Sequence, residues 1–161
     1  MKTKKITSMA LTTALCMVLS FVESQIPAFV AVPGVKVGLA NIAVIFALYR
    51  MGWKEAATVS LIRVVLVSLL FGNFAALFYS LAGAVLSLVG MCLLKKTGKF
   101  TEIIVSVAGG ILHNIGQIAM ASILLETDVL RYYLPLLLLS GTIAGIVVGI
   151  ASAILIRRIP Q

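Results

Sequence analysis

The stretch YYLPLLLLSGTIAGIVVGIASAILI, residues 132–156, contains no charged side chain over 25 consecutive positions. A helix needs about 20 mostly apolar residues to cross a bilayer, so this stretch predicts a transmembrane helix. Its apolar residues follow one another without the polar–apolar alternation of a barrel strand, which favours a helix. Five similar stretches precede it, and we predict six spans at about residues 6–24, 37–51, 56–72, 75–94, 102–125 and 132–156.

The composition of the whole chain supports this interpretation. Of its 161 residues, 61% are hydrophobic and 11% are charged, and the mean hydropathy is +1.17. Soluble domains carry about 25% charged residues, so the composition excludes a soluble enzyme and a disordered chain. We therefore predict an all-α integral membrane protein, a six-transmembrane-helix bundle embedded in the lipid bilayer as a single domain over residues 1–161.

The net charge of +8 indicates topology rather than nucleic-acid binding. If the spans alternate in direction, ten of the 13 basic residues fall on one side: Lys2, Lys4, Lys5, Arg50, Lys54, Lys95, Lys96, Lys99, Arg157 and Arg158. Cytoplasmic loops are the ones enriched in Lys and Arg. Both termini are therefore predicted to be cytoplasmic, with loops 25–36 and 126–131 outside.

Several kinds of chemistry are excluded by missing residues. Asp128 is the only aspartate, so the paired Asp-rich motifs that hold Mg²⁺ and a diphosphate in prenyl synthases are absent. The pair Gly98-Lys99 is followed by Phe100, which excludes a P-loop. One histidine and two separated cysteines do not give the ligand spacing of a zinc or haem site. We expect no catalytic residue, no metal and no cofactor, and thus not an enzyme.

Polar residues inside the spans predict a binding pocket. An ionisable side chain in a span costs about 2.5–3.5 kcal/mol on insertion scales and usually faces a cavity or a partner. Arg63 is the clearest case, because it lies nine residues from Lys54, about 14 Å at the helical rise. The other polar residues fall between the midplane and the outer surface, and the predicted pocket is lined by Arg63, Asn41, Asn73, His113, Asn114, Gln117 and Lys36. Interhelical hydrogen bonding is the alternative role of these side chains.

Small residues at four-residue spacing predict close helix contacts. The last span carries Gly141, Gly145, Gly149 and Ala153, a stripe that we expect to pack within the bundle. The first span carries Ala10 and Ala14 near its basic end, where a partner in the membrane would dock.

Six segments, in order along the chain, resemble a known family: VPGVKVGLANI (32–42), GWKEA (52–56), LIR (61–63), FGN (71–73), SLAG (80–83) and HNIGQ (113–117). They are similar to the Gx transporter family, also labelled heptaprenyl diphosphate synthase component I, over about residues 8–158. That family in turn resembles the substrate-binding S components of energy-coupling factor (ECF) transporters. The resemblance implies a six-helix subunit of a prokaryotic plasma membrane, with Ala10 and Ala14 matching the small-residue motif that contacts the coupling subunit.

The resemblance implies an importer subunit that captures a small molecule from outside, with loop 25–36 as a lid. Transport would need a membrane coupling subunit and ATPases of an ECF module. Because Arg63 and Lys36 outnumber Glu23 near the pocket, we expect an anionic head with an apolar body. Two alternatives remain: a membrane accessory or scaffold subunit for prenyl diphosphate or quinone synthesis, and a secondary carrier in which Arg63 belongs to an ion-coupled gate.

Overall fold

The computed structural model describes residues 2–25, 38–126 and 129–159. Within these residues the chain forms six α-helices and no strand. They are α1 (Lys2–Gln25), α2 (Asn41–Arg50), α3 (Trp53–Phe71), α4 (Phe74–Thr97), α5 (Glu102–Leu124) and α6 (Leu134–Arg158), with a 3-10 segment (Val129–Tyr133) leading into α6. The predicted all-helical fold with six helices is confirmed.

Four of these helices, α1, α4, α5 and α6, are long and apolar enough to cross a membrane. The stretch predicted at 37–51 is helical only from Asn41, and α2 has 10 residues. Its length is about 15 Å at the helical rise, half of a hydrocarbon core of about 30 Å. Helix α3 has 19 residues but carries Lys54, Glu55 and Arg63. Helix length and composition thus indicate a membrane protein with four candidate spans.

Local capping explains where α4 and α5 begin and end. The side chain of Asn73 accepts a hydrogen bond from the backbone N–H of Ala76 at 2.8 Å, which starts α4. Gly98 follows α4 with a φ of 67°, a left-handed conformation that glycine adopts without strain. Thr101 then accepts from the backbone N–H of Ile104 at 3.4 Å and starts α5. Such caps satisfy backbone groups that have no partner inside the helix.

The short helix α2 lies in the middle of the bundle. Half of its residues are buried, namely Ala43, Val44, Ile45, Ala47 and Leu48. Helices α1, α3 and α6 pack against it, and each of the other five helices contributes side chains to the same core, among them Cys16, Val59, Met91, Val105 and Val148. The core therefore includes α2, and the polar residue at its start, Asn41, is held by the packing of α2 against α1, α3 and α6.

Glycines bring α4, α5 and α6 into direct backbone contact. A Cβ added at Gly116 of α5 would lie 2.8 Å from the carbonyl oxygen of Ala82 of α4, and one at Gly145 of α6 would lie 2.6 Å from Cα of Val107 of α5. Both distances are shorter than real side chains permit, so only glycine allows this approach. The predicted packing of the small-residue stripe of α6 within the bundle is confirmed.

Basic side chains tie the helices together at one end. The Arg50 guanidinium donates to two carbonyl oxygens at the C-terminal end of α6, and Lys95 Nζ donates to the carbonyl oxygen of Leu48 at 2.6 Å. Lys5 forms an ion pair with Glu55 in the first turn of α3, and its hydrogen bond lowers the pKa of that carboxyl from the ordinary value. The fold thus gathers these basic residues, assigned to one side from the sequence, at one end of the bundle.

Candidate functional site

A cavity of about 70 Å³ runs between facing sides of α5 and α6. Helix α5 contributes residues that recur at helical spacing and share one face: Ser106, Gly110, His113, Asn114 and Gln117. Helix α6 contributes a matching face of small and apolar residues: Gly141, Ala144, Gly145 and Val148. The other lining residues come from α1, the start of α2 and the middle of α3: Glu23, Gly38, Asn41 and Arg63.

The size of the cavity limits what it holds. At about 10–15 Å³ for each water-sized probe position, 70 Å³ corresponds to a few adjoining positions. Sites for drug-sized ligands are larger, about 300–1,000 Å³. The enclosed space therefore suits a narrow molecule, or the polar head of a ligand whose remainder lies elsewhere.

Arg63 and Asn41 form the polar pair of the cavity. Arg63 Nη1 donates a hydrogen bond to Asn41 Oδ1 at 3.2 Å, and both side chains are partly buried. Among the described residues no carboxylate lies within ion-pair distance of the guanidinium, since the ion pair found there joins Lys5 and Glu55. Arg63 therefore brings a positive charge to the cavity that no described acidic side chain neutralises directly.

His113 and Gln117 lie where α5 approaches α4 most closely. A Cβ added at Gly83 of α4 would lie 2.9 Å from Cγ of Gln117 and 3.0 Å from Cε1 of His113. Because Gly83 has no side chain, His113 and Gln117 have space to pack against α4 while they line the cavity. Their orientation is set by packing against α4, which the sequence spacing alone does not reveal.

Asn114 lines the cavity and also forms a hydrogen bond between two helices. Its Nδ2 donates to the carbonyl oxygen of Leu137 at 2.5 Å, a carbonyl near the start of α6 that Ser140 also uses. This hydrogen bond joins two helices, which is the alternative role predicted for the polar residues of the spans. Asn114 therefore holds α5 against α6 and has less hydrogen-bonding capacity left for a ligand than Gln117.

Glu23 is the acidic member of the lining. It lies in the last turn of α1 and accepts a hydrogen bond from the backbone N–H of Gly38, just before α2. This bond brings the end of α1 beside the start of α2 across residues 26–37. The carboxylate lies in the same lining as Arg63 and offsets part of its positive charge there, although the two do not form an ion pair.

Two further predicted site residues have different outcomes. Asn73 is exposed and its side chain caps α4 through Ala76, so the structure places it apart from the cavity. Lys36, and most of the loop predicted as a lid, lie outside the described residues. The two alanines predicted for partner docking, Ala10 and Ala14, are exposed on α1, whose described contacts within the bundle are with α2 and α3.

Several lining residues are not among those predicted from the sequence. Ser106 and Gly110 lie on the α5 face that carries the predicted His113 and Gln117, so extending that face by helical spacing would have found them. Glu23 was considered only as a nearby charge. The lining residues of α6 belong to the small-residue stripe or follow its spacing, and nothing in the sequence distinguishes a glycine that packs from one that also borders a cavity.

Comparison with known proteins identifies a family. A family model described as "Heptaprenyl diphosphate synthase component I" matches residues 12–155, which include every described residue that lines the cavity. No curated protein and no solved structure matches the chain.

Proposed function

The chain belongs to the heptaprenyl diphosphate synthase component I family, and we propose that it acts as the substrate-binding, S-component-like subunit of an ECF-type importer. In this proposal all six helices lie in a prokaryotic plasma membrane, α2 as the short buried one. The protein is not itself an enzyme. It captures a small molecule from outside and passes it to a coupling membrane subunit driven by separate ATPases.

The observation that carries the proposal is the cavity itself. Polar and charged side chains from four helices, α1, α2, α3 and α5, converge on it, whereas the core cluster around α2 consists of apolar side chains. Such groups are costly inside a membrane and usually mark the path or site of a ligand. Arg63 joins α3 to α2 through Asn41, but an uncharged donor would serve for that bond, and among the described residues its charge has no acidic partner within ion-pair distance.

The arrangement of charges supports an outward-facing site. Lys5, Arg50 and Lys95 gather at one end of the bundle, which the positive-inside rule assigns to the cytoplasm. Glu23 lies at the opposite end of α1, and Asn41 begins α2 close to it. A ligand would thus enter from the outer side, near the end of α1 and the start of α2.

The expected ligand is an acid with an apolar body. The guanidinium of Arg63 provides a charge-assisted donor for a carboxylate or phosphate, and Gln117 offers a side-chain amide. The α6 side of the cavity has no polar side chain, because it consists of glycines, Ala144 and Val148. An acidic head near Arg63 with an apolar portion against α6 fits both surfaces.

The exposed position of Ala10 and Ala14 supports docking through α1. Small side chains allow a second helix to approach closely, and the neighbouring Leu11 is 72% exposed, so this face is not covered by the rest of the bundle. We propose that this face contacts the coupling subunit.

The test separates ligand binding from partner docking. Arg63→Ala should abolish retention of the small molecules that mass spectrometry finds with the wild type after mild detergent extraction, while the coupling subunit still co-purifies. Ala14→Trp should show the reverse. Lys54→Ala, an exposed cation outside the cavity, and Ala75→Trp, an exposed alanine on α4, are the matched controls. If Arg63→Ala and Ala14→Trp lose the same property, the two proposed surfaces do not exist.

The family description favours one second candidate, a non-catalytic membrane component of a prenyl diphosphate synthase. This candidate predicts that a soluble prenyl synthase co-purifies with the chain and that no small molecule is retained. The same extraction therefore distinguishes the two functions. Retention of a small molecule that depends on Arg63 would count against the synthase component.

A further inference from the structure

Two side chains of opposite charge line the cavity without forming an ion pair with each other. Glu23 and Arg63 are both in the lining, yet the ion pair found among the described residues joins Lys5 to Glu55. Opposite charges away from bulk water attract each other strongly. The hydrogen bonds that each of the two side chains makes explain why they stay apart.

One turn at the start of α2 binds both charged groups. The Glu23 carboxylate accepts a hydrogen bond from the backbone N–H of Gly38. The Arg63 guanidinium donates to Asn41 Oδ1 at 3.2 Å. Gly38 and Asn41 belong to the same turn, because the Asn41 N–H donates to the Gly38 carbonyl oxygen at 2.9 Å. The two charges are therefore held at neighbouring points of one turn, without an ion pair between them.

Both groups can bind more than these bonds require. A carboxylate has about four acceptor sites and a guanidinium has five N–H donors, and the bonds to the turn use one of each. Together Glu23 and Arg63 have no net charge, and an unperturbed histidine such as His113 is mostly neutral at pH 7. A ligand with a negative charge alone would meet Glu23 as a like charge. A ligand with both charges gives each side chain a partner and leaves the cavity neutral, which is the less costly state inside a membrane.

The volume of the cavity limits the size of this ligand. Since each water-sized position takes about 10–15 Å³, the 70 Å³ of the cavity correspond to about five to seven such positions. The matching ligand therefore has about five to seven non-hydrogen atoms. On the α6 side the cavity is bordered by glycines, Ala144 and Val148, a surface that suits methylene groups between the two charges.

We infer that the cavity binds a small zwitterion, an aliphatic amino acid whose carboxylate contacts Arg63 and whose ammonium group contacts Glu23. The inference rests on the proposed function, because it takes the acidic group near Arg63 as given. It adds a requirement that Arg63 does not impose, a positive charge on the same molecule, and it limits the apolar portion to a short run of methylene groups.

Isosteric pairs of probes test this. Glycine, β-alanine and 4-aminobutanoate differ from propanoate, butanoate and pentanoate, respectively, only by an ammonium group in place of the terminal methyl group. Binding is measured by equilibrium dialysis of the labelled probes against the detergent-solubilised protein. Glu23→Gln keeps an oxygen that can accept from Gly38 and removes the charge. Glu126→Gln, at an exposed glutamate outside the lining, is the matched control.

The expected preference follows from the strength of a hydrogen bond to a charged group, which corresponds to about ten- to hundredfold in affinity. The wild type and Glu126→Gln should bind the best-fitting zwitterion more tightly than its isosteric acid by this factor. Glu23→Gln should bind the two with affinities within about twofold of each other. The amide of the same amino acid, which has no carboxylate, should bind the wild type more weakly than the zwitterion by about ten- to hundredfold.

The possible results separate the inference from the function on which it rests. If the wild type binds the zwitterions no more tightly than the isosteric acids, or if Glu23→Gln keeps the preference, Glu23 does not recognise an ammonium group and the inference is overturned. Acids that bind the wild type but not Arg63→Ala would then still support the acid-binding site. If the amides bind as tightly as the zwitterions, Arg63 does not recognise a carboxylate, and the acid specificity fails together with the inference.

Two remaining results are also decisive. If no probe binds the wild type, the inference is overturned, whereas the importer function is still tested by Arg63-dependent retention of small molecules after extraction. Should Glu23→Gln not fold, the wild-type comparison decides alone, because only a site that contacts both charges prefers the zwitterion over both the acid and the amide.

Discussion

The contact between α4 and α5 depends on glycines whose replacements should differ sharply. A Cβ added at Gly116 would lie 2.8 Å from the carbonyl oxygen of Ala82 and 2.8 Å from Cα of Gly83, both backbone atoms of the facing helix. A Cβ added at Gly90 would come even closer to an atom, 2.0 Å from Cδ1 of Leu112. That atom is the end of a flexible side chain that can turn to another staggered rotamer, whereas a backbone cannot yield without moving the helix.

The difference in stability between the two variants can be estimated because both make the same chemical change. Both replace a glycine inside a helix with alanine, and each gains about 0.8–1 kcal/mol of helix propensity. This gain cancels when the two variants are compared. What remains is the overpacking at Gly116, typically about 1–3 kcal/mol for an inserted methyl group that forces a backbone shift. Gly116→Ala should therefore be less stable than Gly90→Ala by about 1–3 kcal/mol, or about 2–4 °C in Tm for each kcal/mol in a chain of this size.

The assay is reversible unfolding of the purified protein in mild detergent, by titration with a denaturing detergent and by thermal melting followed by circular dichroism. Gly90→Ala is the matched control, since it lies in the same helix pair and makes the same chemical change. Equal stability of the two variants, or a greater loss for Gly90→Ala, would show that α4 and α5 are not in backbone contact at Gly116. The packing argument for the α5 face that lines the cavity would then fail as well.

Three further predictions concern the rest of the molecule. Asn73→Ala should lower the stability of α4 by about 1 kcal/mol through loss of its cap and leave ligand retention unchanged. Asn73→Asp, which can still cap the helix, should restore the melting temperature. Reduced ligand retention in Asn73→Ala would instead show that Asn73 belongs to the binding site. The hydrogen bond from Lys5 lowers the pKa of Glu55, so the pair should stabilise the fold above the ordinary carboxyl pKa and lose this effect as the pH falls through the lowered value. The melting temperature, measured from roughly pH 6 to 3, should fall with pH for this reason, and Glu55→Gln should abolish that part of the pH dependence. In a background without native cysteines, a cysteine at Lys96 should react only with reagents that reach the cytoplasm, and labelling from outside would invert the proposed topology.

Hydropathy alone predicted most of the helices. Five of the six predicted stretches coincide with helices to within a few residues, because an apolar run long enough to cross a bilayer has few alternatives to a helix. The exception is the stretch at 37–51, where the described helix is only Asn41–Arg50. The 15 residues of this stretch were already fewer than the about 20 that a spanning helix needs, but apolar content does not distinguish a short helix buried by its neighbours from a spanning one.

The candidate site could be predicted only in part. Arg63, Asn41, His113, Asn114 and Gln117 all line one cavity, and the sequence indicated them because polar groups in apolar helices are costly and need a reason. Asn73 is an asparagine like Asn41 and Asn114, but its side chain caps a helix by accepting a hydrogen bond from a backbone N–H three residues away. Composition cannot separate these cases, because the difference is a hydrogen-bond partner and not a residue type.

The sequence by itself determined that the chain is apolar and helical, which helices carry polar residues and which end carries the basic ones, because these properties depend on residue type and on spacing along a single helix. The tertiary structure alone decided which of those residues meet. Glu23 reaches the cavity through a bond to Gly38, and Ser106 is left without a partner where α6 passes it with glycines. Both results depend on the separation and rotation of neighbouring helices, which are set by the packing of all six helices together.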